Sequence, residues 1–279
     1  EEILKISEIA ARNGIRHLKV TGGEPLARKG CADFIRELKQ VPGIEHVTLT
    51  TNGVMLSAVL PILREAGIDG INISLDTLNR ETYKRITGRD EFDRVWQGFQ
   101  EAVKLGIKVK INCVPIAGYN ESEYKMLAGL AAEYPVDVRF IEMMPIGYGR
   151  EFGRVPGEKI LDEILSVYPD LTQSEKKRGF GPAFYYAGES LKGSIGFIEA
   201  LNHKFCSKCN RIRLTADGYL KTCLYYKNSI NMKKAVREGA SEEEISQLFQ
   251  KAFENKPKEH HFGLIEDNSE QRKMSQIGG

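Results

Sequence analysis

Three cysteines carry the clearest chemical signal in this sequence. Cys206 and Cys209 have two residues between them, and Cys223 follows after thirteen more, a Cys-x2-Cys-x13-Cys pattern. Thiolates at that spacing can share one metal centre if a hairpin returns the third, and Asp217-Gly218 is a hairpin turn signal. A structural zinc site wants four ligands, and His203 could supply the fourth. A [4Fe–4S] cluster held by three cysteines would instead leave one iron open to a ligand. Spacing alone does not choose between zinc and iron. Arg211 and Arg213 follow on one face of a predicted strand, with Ile212 and Leu214 turned the other way. Two fixed guanidiniums beside a metal suit a phosphate or a purine edge. Cys31 and Cys113 have no partner spacing and read as buried filler. No P-loop motif occurs, so a nucleotide would not be held as in a P-loop ATPase.

The elements that must position these groups come in two styles. Ile3, Ile6, Ile9 and Ala10 make a helical face that Gly14 ends. Strand-like runs follow at His17–Thr21, His46–Thr50, Gly70–Ser74, Lys108–Val114 and Val136–Ile141, with amphipathic segments between them such as Phe92, Val95, Trp96, Phe99 and Val103. That βα alternation predicts a parallel sheet, open or curled into a barrel. After Gly147 the rhythm stops. A helix at Ile160–Tyr168, a basic run Lys176-Lys177-Arg178 that reads as a solvated loop, short strands at Ala183–Ala187, Gly193–Ala200, Arg211–Thr215 and Tyr219–Cys223, and a helix from Ser241 to Phe253 complete the chain. Two regions are expected, 1–147 and 148–279.

Side-chain alternation narrows the fold class. His17, Lys19 and Thr21 share one face of the first strand; Thr48, Thr50 and Asn52 share one of the second. Asn72, Ser74 and Asp76 do so in the third, Lys110 and Asn112 in the fourth, and Arg139 in the fifth. Parallel strands covered on both faces read as nearly continuous apolar runs, and a closed barrel fills its lumen with Val, Ile and Leu. One polar face in all five strands fits a half-solvated open sheet or, the favoured reading, an incomplete or wide barrel whose lumen holds a polar ligand. The turns after the strands, notably Thr21-Gly22-Gly23-Glu24-Pro25, lie where α/β sheets bind ligands. Gly22-Gly23 lets a ligand approach the backbone, and Glu24 can accept from an ammonium.

Composition sets outer bounds. The 279 residues carry 40 Lys+Arg against 38 Asp+Glu, a net charge of +2, so nothing pulls the whole chain toward nucleic acid. No stretch has the length and apolarity of a membrane helix, and no signal peptide opens the chain. Five cysteines are too few for a disulfide scaffold, which favours a reducing cytoplasm. The sequence opens at Glu1, already inside a helical pattern, and reads as a fragment.

Several runs together carry a family resemblance. Thr21-Gly22-Gly23-Glu24-Pro25-Leu26, Thr50-Thr51-Asn52-Gly53, Asn72-Ile73-Ser74-Leu75-Asp76-Thr77-Leu78 and Arg85-Ile86-Thr87-Gly88-Arg89-Asp90 resemble radical S-adenosylmethionine enzymes. Arg139-Phe140-Ile141-Glu142-Met143-Met144-Pro145-Ile146-Gly147 and Cys206-Ser207-Lys208-Cys209-Asn210-Arg211-Ile212-Arg213 narrow the resemblance to the GTP 3′,8-cyclase family of molybdenum cofactor biosynthesis. The terminal Ile277-Gly278-Gly279 agrees.

This resemblance implies an α/β fold, an incomplete (β/α)6 TIM-type barrel with a cluster at each end of its channel. One cluster cleaves S-adenosylmethionine to a 5′-deoxyadenosyl radical, which takes the 3′ hydrogen of GTP before the ribose carbon attacks guanine C8. The second, a [4Fe–4S] cluster on Cys206, Cys209 and Cys223, offers its open iron to the guanine. Gly23, Ser74 and Met144 are then expected to contact S-adenosylmethionine, with Glu24 on its ammonium. Lys19, Thr50, Lys110 and the strand Arg211, Ile212 and Arg213 are expected to contact GTP. Arg139 faces the lumen with no assigned contact. A homodimer is expected, as is a downstream cyclic pyranopterin monophosphate synthase; nucleic acid and membrane are not.

The chain departs from the family pattern at stated places. The C-x3-C-x2-C motif of the first cluster and an early GTP-binding arginine belong upstream of Glu1, so the chain as written is not expected to cleave S-adenosylmethionine. Lys19 stands where arginine is expected, His17 where lysine is, and Lys29-Gly30 replaces Arg-Asp. Lysine lacks the bidentate fork, and histidine is mostly neutral at pH 7. Two other readings stay open: a radical enzyme modifying a peptide, and a zinc-stapled binding module.

Overall fold

The computed structural model describes residues 1–201, 206, 209–259 and 269–278. His203 and Gly279, both singled out above, lie outside them.

The predicted βα alternation forms. Helix α1 (Glu2–Arg12) ends before Gly14, whose φ of +90° suits a residue without a side chain. Then come β1 (His17–Val20), α2 (Cys31–Gln40), β2 (His46–Thr51), α3 (Leu56–Glu65) and β3 (Gly70–Ser74). Next are α4 (Arg80–Thr87), α5 (Phe92–Lys104), β4 (Val109–Cys113), α6 (Tyr124–Glu133) and β5 (Asp137–Ile141). Beyond the fifth strand lie α7 (Gly157–Leu165), β6 (Thr172–Ser174), β7 (Phe184–Ala187) and β8 (Ser194–Ile198). A three-stranded sheet of β9 (Arg213–Leu214), β10 (Tyr219–Lys221) and β11 (Ser229–Asn231) follows, then α8 (Met232–Arg237), α9 (Glu242–Glu254) and α10 (Met274–Ile277).

The main sheet has eight strands in the order β1-β2-β3-β4-β5-β8-β7-β6. Every pairing from β1 through β5 to β8 is parallel, and β7 and β6 add antiparallel at the end. Among the described residues six parallel strands thus form the β/α part, and β1 and β6 lie at the ends of the sheet. The sixth parallel strand comes from Ser194–Ile198, so the sheet runs continuously across residue 147, where two regions were expected to meet.

The helices cover one face only. Leu49, Ile71, Ile73, Val109, Ile111 and Val138 pack with Ile35, Leu60, Val95, Phe99 and Leu127 in one apolar core. Cys31 and Cys113 are buried there, as expected of filler. A second cluster joins Ile6, Ile9 and Ala10 of α1 to Leu220 and to Ile245, Phe249 and Ala252 of α9. It ties the start of the chain to the small sheet. Ser241 caps α9, accepting from the Glu244 N–H while its own N–H donates to the Glu244 carboxylate.

The opposite face of the main sheet is the polar one, and the sheet curls around it. On a flat sheet β1 and β5 would lie four strand spacings apart, about 19 Å. Yet Lys19 on β1 stands close enough to Arg139 on β5 for the guanidinium charge to lower its pKa. Gly196 makes room inside this curve. It pairs with Arg139 on one side and Tyr185 on the other, and a methyl group there would approach Tyr185 Cε1 at 2.6 Å and Arg139 Cγ at 3.0 Å. Gly196→Ala is therefore expected to destabilise the fold by about 1–3 kcal/mol through overpacking. Its denaturation midpoint, compared with that of the unaltered chain, checks this.

Candidate functional site

The polar row predicted from alternation lines one channel. Register aligns Lys19 with Thr48, Thr50 with Asn72, Asn72 with Lys110, Ser74 with Asn112, and Asn112 with Arg139. Ser74 is exposed between buried Ile73 and Leu75, so it faces open space. Asp76 leaves the row: its carboxylate accepts from the Val114 N–H at 2.7 Å.

Arg139 is the buried centre of this face. Its Nη2 donates to Asn72 Oδ1 and to Asn112 Oδ1, each at 2.6 Å, and its Nε donates to Asn112 at 2.9 Å. Asn72 in turn donates to Thr50 Oγ1 at 3.2 Å and to the Leu49 carbonyl at 3.0 Å. The asparagines fix the guanidinium without neutralising it, so its charge stays available to the channel. Lys19 stands nearby, crowded by protein atoms yet reached by solvent through the open channel. That enclosure, with the charges of Arg139, Arg211, Lys110 and Arg213, pulls its ammonium from 10.5 down to about 7. Sequence reasoning found Lys19 and Lys110 but assigned Arg139 no contact; its asparagine partners lie on strands far apart in the chain.

One end of the channel is spanned by the loop after β6. Lys110 Nζ donates to Asp137 Oδ2 at 2.8 Å, to Tyr185 Oη at 3.3 Å and to the Arg178 carbonyl. Arg178 Nη1 donates to Asp137 Oδ1 at 3.0 Å, and Ser194 Oγ to the same oxygen at 2.6 Å. Burial alone would raise the Asp137 carboxyl, but Lys110, Ser194 and Arg178 outweigh it and hold it below its ordinary value. The basic run is thus not a solvated loop at its last residue, because Arg178 is drawn in by the Asp137 carboxylate. Two residues on, Phe180 stacks on His17 with ring centroids 3.5 Å apart.

The opposite end gathers the turns that follow the strands. Glu24 caps a short 3-10 helix, Pro25–Ala27, and accepts from Leu26 N at 2.9 Å, Thr51 Oγ1 at 2.8 Å and Asn52 N at 2.6 Å. Three of its four lone-pair positions are so used, tying the first loop to the end of β2. Gly23 and Ser74 are exposed there, and Met144 is half-buried after β5.

Arg211 and Arg213 enter from the small sheet. Asp217-Gly218 makes the predicted hairpin, with Gly218 at φ +88°, and β9 pairs with β10. Ile212 and Leu214 pack on the second apolar cluster, so Ile212 can offer a ligand only its backbone. Burial, then Arg211, lowers the Arg213 guanidinium to about 10, with Cys209 and Cys223 opposing. Its Nε donates to the Gly278 carbonyl at 3.4 Å, which brings the end of the chain to the site. None of Cys206, Cys209 and Cys223 is in a disulfide, and each is half-buried. Burial would raise the Cys209 thiol, but the Arg211 N–H and the charges of Arg211 and Lys256 hold it below its ordinary value. A thiol so biased toward thiolate, as Cys209 is, fits an iron–sulfur or zinc centre.

Anchoring of the tail was not legible in the sequence. Lys221, fully buried, donates to Glu270 Oε2 and to the Tyr226 carbonyl, each at 2.5 Å. Glu270 also accepts from the Arg272 side chain and backbone, and its own N–H donates to the Tyr225 carbonyl at 2.6 Å.

Comparison with known proteins gives one family. Residues 1–131 match the family model of the radical SAM superfamily, and residues 136–262 that of Molybdenum Cofactor Synthesis C. The GTP 3′,8-cyclase of Clostridium perfringens (strain 13 / Type A) is 40% identical over 279 residues, covering 100% of this chain and 86% of that one. The GTP 3′,8-cyclase of Moorella thermoacetica is 44% identical over 283 residues with the same coverage. Among solved structures, Streptococcus suis SuiB bound to S-adenosylmethionine has a TM-score of 0.61 at 16% identity, covering 85% of this chain and 57% of that one, a likeness of fold. The channel, its cationic wall and the three cysteines thus belong to a radical S-adenosylmethionine enzyme of molybdenum cofactor biosynthesis, a member of the GTP 3′,8-cyclase family.

Proposed function

We propose that this chain binds GTP between the cationic wall of the channel and the three-cysteine centre, and S-adenosylmethionine at the turns that follow the strands. The observation that carries this reading is the convergence of Lys19, Lys110, Arg139, Arg211 and Arg213 on one lumen. Cations so close together repel one another, and a polyanion among them relieves that repulsion; a triphosphate is such a polyanion. Lys110 is paired with the Asp137 carboxylate, which Arg178 shares. A division of labour follows, with 1–147 serving S-adenosylmethionine and 148–279 the second cluster and the nucleotide.

Within that scheme Gly23 and Ser74 offer backbone and hydroxyl to S-adenosylmethionine, and Met144 packs beside it. The one lone-pair position left on Glu24 is enough for an ammonium hydrogen bond. Lys19, Thr50, Lys110, Arg211 and Arg213 hold the nucleotide, with the Ile212 backbone at its edge. Arg139, locked by Asn72 and Asn112, supplies fixed positive charge with no reorganisation when the anion arrives. Cys206, Cys209 and Cys223 would hold the [4Fe–4S] cluster, which supplies an iron with an open position, while S-adenosylmethionine supplies the radical that starts the cyclisation. The family's first cluster, which serves S-adenosylmethionine, would be held by the C-x3-C-x2-C motif, expected in a segment preceding these residues. A homodimer in the cytoplasm, handing its product to a cyclic pyranopterin monophosphate synthase, completes the reading. Among the described residues no helix is long and apolar enough to cross a membrane.

The test uses the chain joined to that preceding segment, purified and reconstituted without oxygen. GTP should be required for 5′-deoxyadenosine formation and should be consumed. Cys209→Ser should remove iron and labile sulfide at this centre and abolish GTP consumption. Deoxyadenosine formation stimulated by a peptide but not by GTP would select a maturase. One zinc per chain with no labile sulfide would select the binding module.

A further inference from the structure

We propose that His17, His46 and Glu45 form a site for a divalent transition metal of the zinc type, at the start of β1 and β2 and separate from the three-cysteine centre. Register sets His17 directly beside His46 on the parallel pair, on the same face. One ligand atom from each of His17, Glu45 and His46 lies within 4.8 Å of the others. A tetrahedral zinc site with metal–nitrogen bonds near 2.0–2.1 Å needs ligand atoms roughly 3.4 Å apart. Rotamer adjustments of about an ångström close that gap, and Glu45, half out in solvent, is free to make them. Arg16 contacts the Glu45 carboxylate only at 3.9 Å and is itself exposed, so it competes weakly.

Two observations beyond proximity point to a ligand. The first is the arrangement behind His46. Its Nδ1 lies 3.1 Å from Asp69 Oδ1, and the other Asp69 oxygen accepts from Lys39 Nζ and Val47 N, both at 2.7 Å. A carboxylate so fixed holds the imidazole proton on Nδ1 and leaves the Nε2 lone pair outward, as in carboxylate–histidine–zinc triads. The second is His17, whose Nδ1 is buried with no hydrogen-bond partner. That nitrogen makes no bond a metal would have to displace, and a neutral imidazole is the form that ligates. Phe180 stacks on the His17 ring and fixes its plane. Two imidazoles and one carboxylate leave a fourth position open, the pattern of a zinc site able to take water or an anion.

The experiment is a Co²⁺ titration of the full chain carrying Cys206→Ser, Cys209→Ser and Cys223→Ser, so that no thiolate centre contributes. One equivalent should bind with visible d–d bands, no sulfur charge-transfer band, and full displacement by Zn²⁺. His17→Phe, which keeps a ring against Phe180, and Glu45→Gln at the surface should each weaken binding at least about tenfold. Asp69→Asn should weaken it by a similar factor through the lost orientation of His46. Absence of saturable binding would overturn the proposal. So would binding that His17→Phe and Glu45→Gln leave unchanged, since the metal would then sit on the remaining histidines.

Discussion

Replacing Glu270 with alanine is expected to destabilise the protein by about 3–5 kcal/mol, the cost of leaving a buried charge without its partner. The charge is Lys221, wholly inaccessible to solvent at the end of β10, and Glu270 is only 3% exposed. Alanine would leave the ammonium with the Tyr226 carbonyl alone among the contacts described. Burial by itself would raise the Glu270 carboxyl, but hydrogen bonds from Arg272 and Lys221 hold it at about 2 against an ordinary 4.5. The sign of the pH dependence follows. A depressed acid contributes stability that is complete above the unfolded value and is lost as pH falls through the folded one. The gap between the unaltered chain and Glu270→Ala, read from denaturant midpoints, should be constant near neutrality and shrink from about pH 4.5 down to about 2. The double change Lys221→Met with Glu270→Leu should recover most of the loss, because an apolar pair carries no desolvation cost. A gap independent of pH would mean that packing, not charge, holds the tail. Since Glu270 pins the segment that brings Gly278 to Arg213, Glu270→Ala should also loosen the wall of the channel.

What sequence revealed and what it concealed divide along a physical line. The five β/α strands were legible because each alternates polar and apolar residues, and period two is a local property. The channel was legible for the same reason: a one-residue change of register would invert every face, so Lys19, Thr50, Ser74 and Lys110 had to share one side. The sixth strand, Ser194–Ile198, was seen as a strand but not as a member of the parallel sheet. It is buried along its whole length, so its composition names no partner, and nothing local says that it pairs with β5 rather than with the small sheet. Arg178 was assigned to solvent because a basic run ordinarily is; its partner Asp137 lies 41 positions away. Lys221 and Glu270 are separated by 49 positions, and neither carries a motif. Glu24 was read as waiting for an ammonium, yet most of its capacity serves Thr51, Asn52 and Leu26, a division that only the fold of the turn decides. The cysteines gave a ligand count but not a metal, because thiolate spacing is equally good for zinc and iron.

GTP affinity should depend on pH through Lys19, and this dependence should vanish in Lys19→Arg. With its pKa pulled down to about 7, the Lys19 ammonium is largely neutral at pH 8 before any anion arrives. Enclosure first, and then the charges of Arg139, Arg211, Lys110 and Arg213, lowered it; a triphosphate among these cations supplies the opposite charge, so binding drives proton uptake. A group whose pKa rises on binding favours the complex most strongly below its free value. Affinity should therefore be highest below pH 7 and fall above it by at most about tenfold per unit, less to the extent that channel water screens the charges. Calorimetry of GTP binding at pH 8, with EDTA present and in buffers of different ionisation enthalpy, should report net proton uptake. Arginine stays charged throughout this range, so Lys19→Arg should bind without that uptake and should lose less affinity between pH 7 and 8.5. Lys19→Gln, lacking the charge at every pH, should bind at least about tenfold more weakly at pH 6.5 and draw level with the unaltered chain as pH rises. Identical proton uptake in the unaltered chain and Lys19→Arg would assign the titration to a group other than Lys19, and the proposal that Lys19 is the titrating cation of the wall would fall.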